Sequence, residues 1–327
     1  MSRAQLTSTV EQNTGGAVSP YVAGKNAVIN GGFDIWQRGT SFTGGFTADR
    51  WIGQTSAGTT TFARESTVVP TNSQYAIKWT QATASAYANI VQVIETANAI
   101  QFAGKTVTLS ALVAASVGQG VAIELYYSTS VDKAFSGGGW TQLTATSGGS
   151  ASPSSTTYIP ASGVFSVPST AKSLMVGITT TSILVGTTVY VSQVQLELGS
   201  TATNFSRAGG TLSGELVACQ RYYYAFNGST NLQYFANGFG YNSTSLYGPI
   251  KLPVTMRTNP TFSAQNATTT GQAFNGTTAI YATNITMPNS DSNSPLILYT
   301  FASGVAINQS SIMSVINGGS LTFSAEL

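Results

Sequence analysis

The sequence predicts an all-β protein: two β-sandwich domains in tandem, an extended N-terminal arm and one short helix near 214–224. Three observations carry this. The 327 residues exceed one ordinary sandwich and suffice for two cores. Thirty-four glycines accompany many Thr, Val and Tyr, the mixture that makes pleated strands joined by tight turns. Apolar residues reach 42%, with 15 Tyr, 15 Phe and 4 Trp, whereas charged residues are only 7%, far below the roughly 25% of an average domain. Such a chain has enough apolar surface to fold, and its solubility rests on Ser, Thr, Asn and Gln.

Residues 1–25 hold few large apolar groups and carry Gly15-Gly16, Pro20 and Gly24, so they read as an arm. It is either a frayed terminus or a segment ordered by docking onto a neighbour. Residues 26–207 contain short strand-like runs separated by Gly, Ser and Pro clusters, the spacing of a sandwich. Val107, Leu109, Ala111, Val113 and Ala115 alternate with Thr108, Ser110, Leu112 and Ala114, and Val121, Ile123, Leu125 and Tyr127 repeat the period beyond a Gly118–Gly120 turn. Leu174, Val176 and Ile178, then Val194, Leu196 and Leu198, supply later strands, while Ser130–Ser162 reads as a long Gly/Ser/Thr loop or loose hairpin carrying Trp140.

A second domain, 208–327, opens with helix-like spacing of Leu216, Cys219, Gln220 and Tyr223. Strand patterns follow at 234–241, 249–256, 279–287, 296–301 and 320–326, with Pro253 and Pro260 confining theirs to edges or ends. There are no heptads, collagen triplets or short repeats, hence no self-contained fibrous shaft.

Composition also excludes functions. The net charge is +2 and the basic residues are scattered, which leaves nucleic acid no electrostatic footprint. The single Cys219 forbids an intrachain disulfide and reads as a small buried hydrophobe. The absence of histidine removes a Ser-His-Asp triad and a histidine metal site. The N-terminus lacks the apolar stretch of a secretory signal and no segment reads as a membrane span. Paired carboxylates are the one catalytic device left, but Asp49 next to Arg50 reads as a loop anchor, so no catalytic residue and no enzyme is expected. No cofactor is expected beyond a structural calcium ion, for which Asp34 and Glu197 are the candidate ligands. Aromatic side chains are the better binding groups, because sugar rings stack on them while nearby amides meet the hydroxyls. Trp140, Tyr234, Phe235 and Tyr241 are the foremost candidates, with Tyr126, Phe239 and Tyr247 behind them; for each, core or subunit interface is the plainer alternative.

The segment Asn26-Ala-Val-Ile-Asn-Gly-Gly-Phe-Asp-Ile-Trp-Gln-Arg-Gly-Thr-Ser-Phe, followed by Phe46-Thr-Ala-Asp-Arg-Trp51, resembles a family of phage tail-fibre and virion structural proteins. Val194-Gln-Leu-Glu-Leu-Gly199, Ala202-Thr-Asn-Phe205, Cys219-Gln-Arg-Tyr-Tyr-Tyr224, Leu252-Pro-Val-Thr-Met-Arg-Thr-Asn-Pro260 and Phe323-Ser-Ala-Glu-Leu327 continue the resemblance in order. It implies a first domain similar to carbohydrate-binding-module jelly rolls, with an opening strand bearing Asn-Gly-x-Phe and a last strand closing the same sheet. Asp34 fits the calcium ligand found there, but Gln193 and Gln195 stand where an acidic residue is expected. Trp36, Arg38, Asp49, Arg50 and Trp51 match the family motif and read as a folding signature rather than a ligand site.

The resemblance implies a non-enzymatic virion protein, a tail-fibre or receptor-binding component attaching to host surface polysaccharide, located on the tail rather than the capsid surface. A homotrimer docked to other virion proteins through residues 1–25 is the expected assembly. The alternative is a capsid decoration or tail-assembly protein that binds no glycan; a depolymerising tailspike stands third.

Overall fold

The computed structural model describes residues 24–227, 233–265, 271–275, 278–315 and 318–327, so the expected arm falls almost wholly outside the described residues. The chain folds as two compact units. The first comprises residues up to Asp34, Thr40–Thr47 and Trp51–Glu215; the second comprises Ile35–Gly39, Ala48–Arg50 and Leu216–Leu327. The division falls at 215/216 rather than 207/208, and two short segments from early in the sequence belong to the second unit.

The first unit is a sandwich of two antiparallel sheets. Its strands are β1 (Ser41–Phe42), β2 (Gly45–Phe46), β3 (Ile52–Thr55), β4 (Thr60–Glu65), β5 (Ala76–Gln81), β6 (Ser85–Ile94), β7 (Thr106–Ala115), β8 (Val121–Ser128), β9 (Thr141–Gln142), β10 (Ser147–Gly148), β11 (Ser150–Ala151), β12 (Ile159–Ser166), β13 (Ser173–Ile183) and β14 (Thr188–Leu198). One sheet runs β1-β4-β5-β14-β7-β12-β10, the other β11-β8-β13-β6-β3-β2, with β9 paired to β8. The two-residue period read from the sequence sets what faces inward: Val107, Leu109, Val113, Val191 and Leu196 from one sheet meet Ile123, Leu125, Leu174, Val176 and Ile178 from the other, all buried. The expected 130–162 loop ends earlier, because Ile159–Ser166 pair along their whole length with β7.

The opening segment is a correction to the expected strand. Residues 26–36 form turns and irregular backbone, with Asn30 and Phe33 both in the left-handed region at φ 57°. Side chains take over the role of ladder partners. Asn26 accepts from Val28 N (2.9 Å) and Leu196 N (3.1 Å) and donates to Val194 O and Ser206 O (both 3.0 Å), while buried Gln92 exchanges two bonds with the Ile29 backbone (2.7 and 2.9 Å). A Cβ on Gly31 would overlap the Val194 carbonyl oxygen, so only glycine permits this approach. Trp51, fully buried, donates its indole N–H to Asn30 O (3.0 Å) and packs on Phe33 at 5.1 Å between centroids. Trp36 of the motif is only half-buried; the second fully buried indole is Trp79, which donates to Thr180 Oγ1 (3.2 Å). Glu215 is also fully buried and accepts from the backbone N–H groups of Asn30 and Gly209. Burial holds its carboxyl above the ordinary range in spite of those donors.

The helix spans Leu212–Gln220, slightly ahead of its expected place, and Cys219 on it is buried. In the second unit follow β15 (Tyr223–Asn227), β16 (Gln233–Asn242), β17 (Ser245–Pro249), β18 (Thr261–Gln265), β19 (Gly271–Asn275), β20 (Thr278–Asn289), β21 (Leu296–Phe301), β22 (Ser310–Val315) and β23 (Ser320–Ser324). Strands β15-β23-β18 form a three-stranded sheet, and β16-β17-β21-β20-β19-β22 close into a barrel, the form the second all-β domain takes. The expected strand at 249–256 is mostly irregular, since Pro249 ends β17. Leu246, Ile297, Tyr299, Phe301, Met313 and Val315 belong to the buried core of this unit. Gly238 makes room among them, because a Cβ there would lie 2.7 Å from Leu246 Cγ and 2.9 Å from Met313 Sδ.

The sandwich can be tested at two of its buried groups. Trp51→Ala removes a filled indole site and one buried hydrogen bond, and should cost about 3–5 kcal/mol in urea unfolding; an equally stable variant would refute the role. Glu65, nearly buried, accepts from Ser66, Thr67 and Val68 N–H (2.9, 2.6 and 3.1 Å) and from Lys78 Nζ (2.7 Å). Burial alone would raise its pKa, but these donors and the Lys78 charge together bring it down to about 2. The carboxylate therefore stabilises the fold above the ordinary glutamate range and loses that contribution as pH falls toward about 2. Solvent screening at the partly exposed Lys78 trims the effect to on the order of 2 kcal/mol. Stability measured against pH should lose this acid-limb slope in Glu65→Gln.

Candidate functional site

The six barrel strands contain no Asp, Glu, Lys or Arg, so any binding on their outer surface must use aromatic, hydroxyl and amide groups. Alternation along each strand sends one side chain to the core and the next to solvent. On β16, Tyr234, Phe239 and Tyr241 point outward, exposed by 56%, 52% and 67%, and on β20 Tyr281 is exposed by 53%. The register places Tyr281 opposite Gln272, Gln272 opposite Ser314 and Ser314 opposite Tyr234. Two tyrosines thus flank a low floor, three strand spacings or ~14 Å apart. Gln272 and Ser314 on that floor are buried; Ser314 Oγ donates to Gln272 O (3.2 Å), and Gln272 Oε1 has no partner among the described residues. In the adjoining row Phe274 lies opposite exposed Ile312, and the Phe274 ring meets Tyr234 at 6.2 Å. Tyr241 meets Tyr247 edge to face at 5.8 Å. The result is a band of aromatic surface across four adjacent strands, continued by Tyr247 on β17.

Of the residues singled out by sequence, this face gathers Tyr234 and Tyr241 with Phe239 and Tyr247. Phe235 lies elsewhere: it packs against the core with Phe226 at 5.2 Å and Tyr299 at 6.1 Å. Trp140 belongs to the first unit, half-buried just before β9, with its indole N–H donated to Ala134 O (3.2 Å). Tyr126, also in the first unit, donates to Glu124 (2.9 Å), as does Thr179 (2.6 Å), and burial with the Glu124 charge raises its phenol pKa. Sequence reasoning does not single out Tyr281, Phe274 or Ile312. Their alternating strands are readable, but their place beside Tyr234 depends on register.

Three of the motif residues, Arg38, Asp49 and Arg50, form a structural cluster in the second unit, whereas Trp51 belongs to the first. Glu326 is nearly buried and receives both Arg38, at 2.9 Å, and Arg50. The Arg38 guanidinium lies 3.5 Å from the Tyr223 ring centroid and Arg50 lies 3.6 Å from that of Tyr222. Asp49 accepts from Gln37 N (3.0 Å) and Gln37 Nε2 and lies 3.7 Å from Arg38. Burial pushes the Asp49 carboxyl upward while Arg38 and the Gln37 donors pull it down. Arg257 closes the far side by donating to Ala325 O (2.9 Å).

Asp34 is paired with Arg207 Nε at 2.7 Å. Glu197 accepts from Thr203 N (2.8 Å), Thr203 Oγ1 (2.5 Å) and Gln195 Nε2 (2.8 Å), with Lys25 at 3.8 Å. Among the described residues no group of three or more His, Cys, Asp or Glu converges as a metal site, and no helix is long and apolar enough to cross a membrane.

No family model matches the chain, and no curated protein matches it. Among solved structures, TmCBM61 in complex with β-1,4-galactotriose is similar over 53% of this chain and 99% of its own, at 10% identity and TM-score 0.36. The C-terminal family 22 carbohydrate-binding module of Clostridium thermocellum Xyn10B is similar over 50% and 95%, at 11% identity and TM-score 0.35. The enzymatically active domain of bacteriophage CBA120 tailspike protein 4 is similar over 56% of this chain and 22% of that one, at 16% identity and TM-score 0.36.

If the arginine cluster is structural, Glu326→Ala should destabilise the second unit by about 3–5 kcal/mol, because it strands buried Arg50 without its carboxylate. An unfolding free energy, from the urea midpoint and slope, lowered by less than ~1 kcal/mol would overturn that assignment.

Proposed function

We propose that this protein is a non-catalytic attachment component of a phage particle that binds uncharged glycan on the host surface through the outer face of its barrel. The observation that carries the reading is the combination on that face: four aromatic rings at least half exposed, amide and hydroxyl groups between them, and no charge in any of the six strands. Sugar rings present C–H faces to aromatic rings and hydroxyls to amides, so both halves of the ligand find partners. A polyanion would find no cation there. The virion part of the reading rests on the ordered motifs from Asn26 to Leu327 and their resemblance to tail-fibre proteins; assembly as a homotrimer, with residues 1–25 docking on other virion proteins, belongs to the same proposal. The non-catalytic part draws on the carboxylates: Asp34, Asp49, Glu65, Glu197 and Glu326 all serve ion pairs.

A second reading gives the same face to a neighbouring subunit in a capsid or tail assembly, favoured by Ile312 within the band, since contiguous apolar surface also marks interfaces. Binding of the purified protein to host cells separates the two. Tyr234→Ala with Tyr241→Ala should lower cell binding and competition with phage adsorption about fivefold or more at unchanged thermal stability, each ring being worth about 0.5–1.5 kcal/mol. Full binding by the double variant would reject the glycan reading; a changed oligomer mass by light scattering would favour the interface.

A further inference from the structure

We infer that the outer face of the β14-β7-β12 sheet carries a second glycan site, a groove of about 870 Å³, within the range of small-molecule sites. It lies in the first unit and shares with the barrel reading only the ligand class.

Its floor is made of small side chains. Ser110 on β7 stands directly opposite Ser162 on β12, and Leu112 stands opposite Pro160. Pro160 is tolerated in the strand because β10, the next neighbour, reaches only Gly163 and Val164. The walls are two chain segments, 71–72 and 202–207, both fastened to β14 at or just beyond one irregularity. The register of β14 shifts between Ser192 and Gln195, and Gln193 there takes φ 54°. Gln193 Nε2 then donates to Thr71 O (3.1 Å) and Ser73 Oγ (2.9 Å), which holds the first wall. Fully buried Gln195 accepts from Ser206 N (2.8 Å), and Glu197 takes the backbone and hydroxyl of Thr203, which holds the second. The second wall, fixed by buried polar groups, needs little ordering when a ligand arrives.

What faces the groove defines the ligand. The side chains of Ser110, Ser162, Asn72 and Asn204 line it and make no hydrogen bond to the protein among the described residues. Half-buried Phe205 supplies an aromatic surface. The one charged group in the lining, Arg207, is paired with Asp34. Unspent hydroxyls and amides beside one ring, without net charge, complement an uncharged polyhydroxylated chain and offer nothing specific to an anion or an acidic peptide.

The test uses the full chain carrying Tyr234→Ala and Tyr241→Ala, which silences the barrel face, with the neutral oligosaccharide pool released from host cell surface as probe and β-1,4-galactotriose and xylohexaose as defined probes. Saturable calorimetric binding is expected to persist in this background, and to fall at least tenfold when Ser162→Trp fills the floor and when Phe205→Ala removes the ring. Binding unchanged by both groove variants, or no binding of any probe by the barrel-silenced chain, overturns the groove. Partial loss in the barrel variant, with the remaining binding unaffected by either groove substitution, would refute the groove alone, whereas wild-type binding lost only through groove substitutions would refute the barrel reading and keep the groove.

Discussion

The second unit depends on a carboxylate that would be costly to bury without partners. Glu326 reaches back 288 residues to Arg38 and 276 to Arg50, and two tyrosine rings cover the guanidinium faces. Removing such charges from water costs several kcal/mol each, and the arrangement is stable only because every member satisfies another. The same cluster fixes the ends of the three-stranded sheet, since Tyr222 O accepts from Ala325 N and Arg257 holds the Ala325 carbonyl. Segments 35–39 and 48–50 therefore belong to this unit on physical grounds. Pairings of such long sequence separation form at a high loop-closure cost, so this unit should complete late in folding.

Scarcity of charge gives the rest of the molecule its character. The few carboxylates present are placed where a chain segment needs fastening. Asp291 accepts the N–H groups of Asn293 and Ser294 in its own loop, Asp132 that of Thr96, and Glu65 closes the turn that follows β4. Glu197 and Asp34, which the sequence offers as ion ligands, hold the 202–207 segment. The surface left to solvent is consequently polar by hydroxyl and amide, a surface suited to neutral partners.

Much of this is legible in the sequence. The two-residue period marks β7, β8 and the ends of β13 and β14, the buried Trp51 and Cys219 are readable from their motifs, and the helix is displaced by only a few residues. The opening segment is not legible as a non-strand, because its ladder partners are the side chains of Asn26 and Gln92, which no local pattern announces. Trp79 rather than Trp36 fills the core; its alternation with Ile77 is the available signal. The aromatic band and the groove are hidden for one reason. Both are made by register: Tyr281 reaches the row of Tyr234 through two intervening strands, and the groove walls converge on a bulge at Gln193.

The closed barrel has a consequence for how such a surface changes over generations. Its ladder is completed around the ring, so no strand edge needs guarding by charge or by a conserved outward residue. Core and exterior are read by alternate positions of the same strands, and Leu246, Tyr299 and Met313 keep the barrel folded whatever stands beside them. Outward positions are thereby released from the burden of stability. A lineage can exchange tyrosines, asparagines and serines there one at a time, altering the chemistry of that surface while its scaffold goes on folding as before.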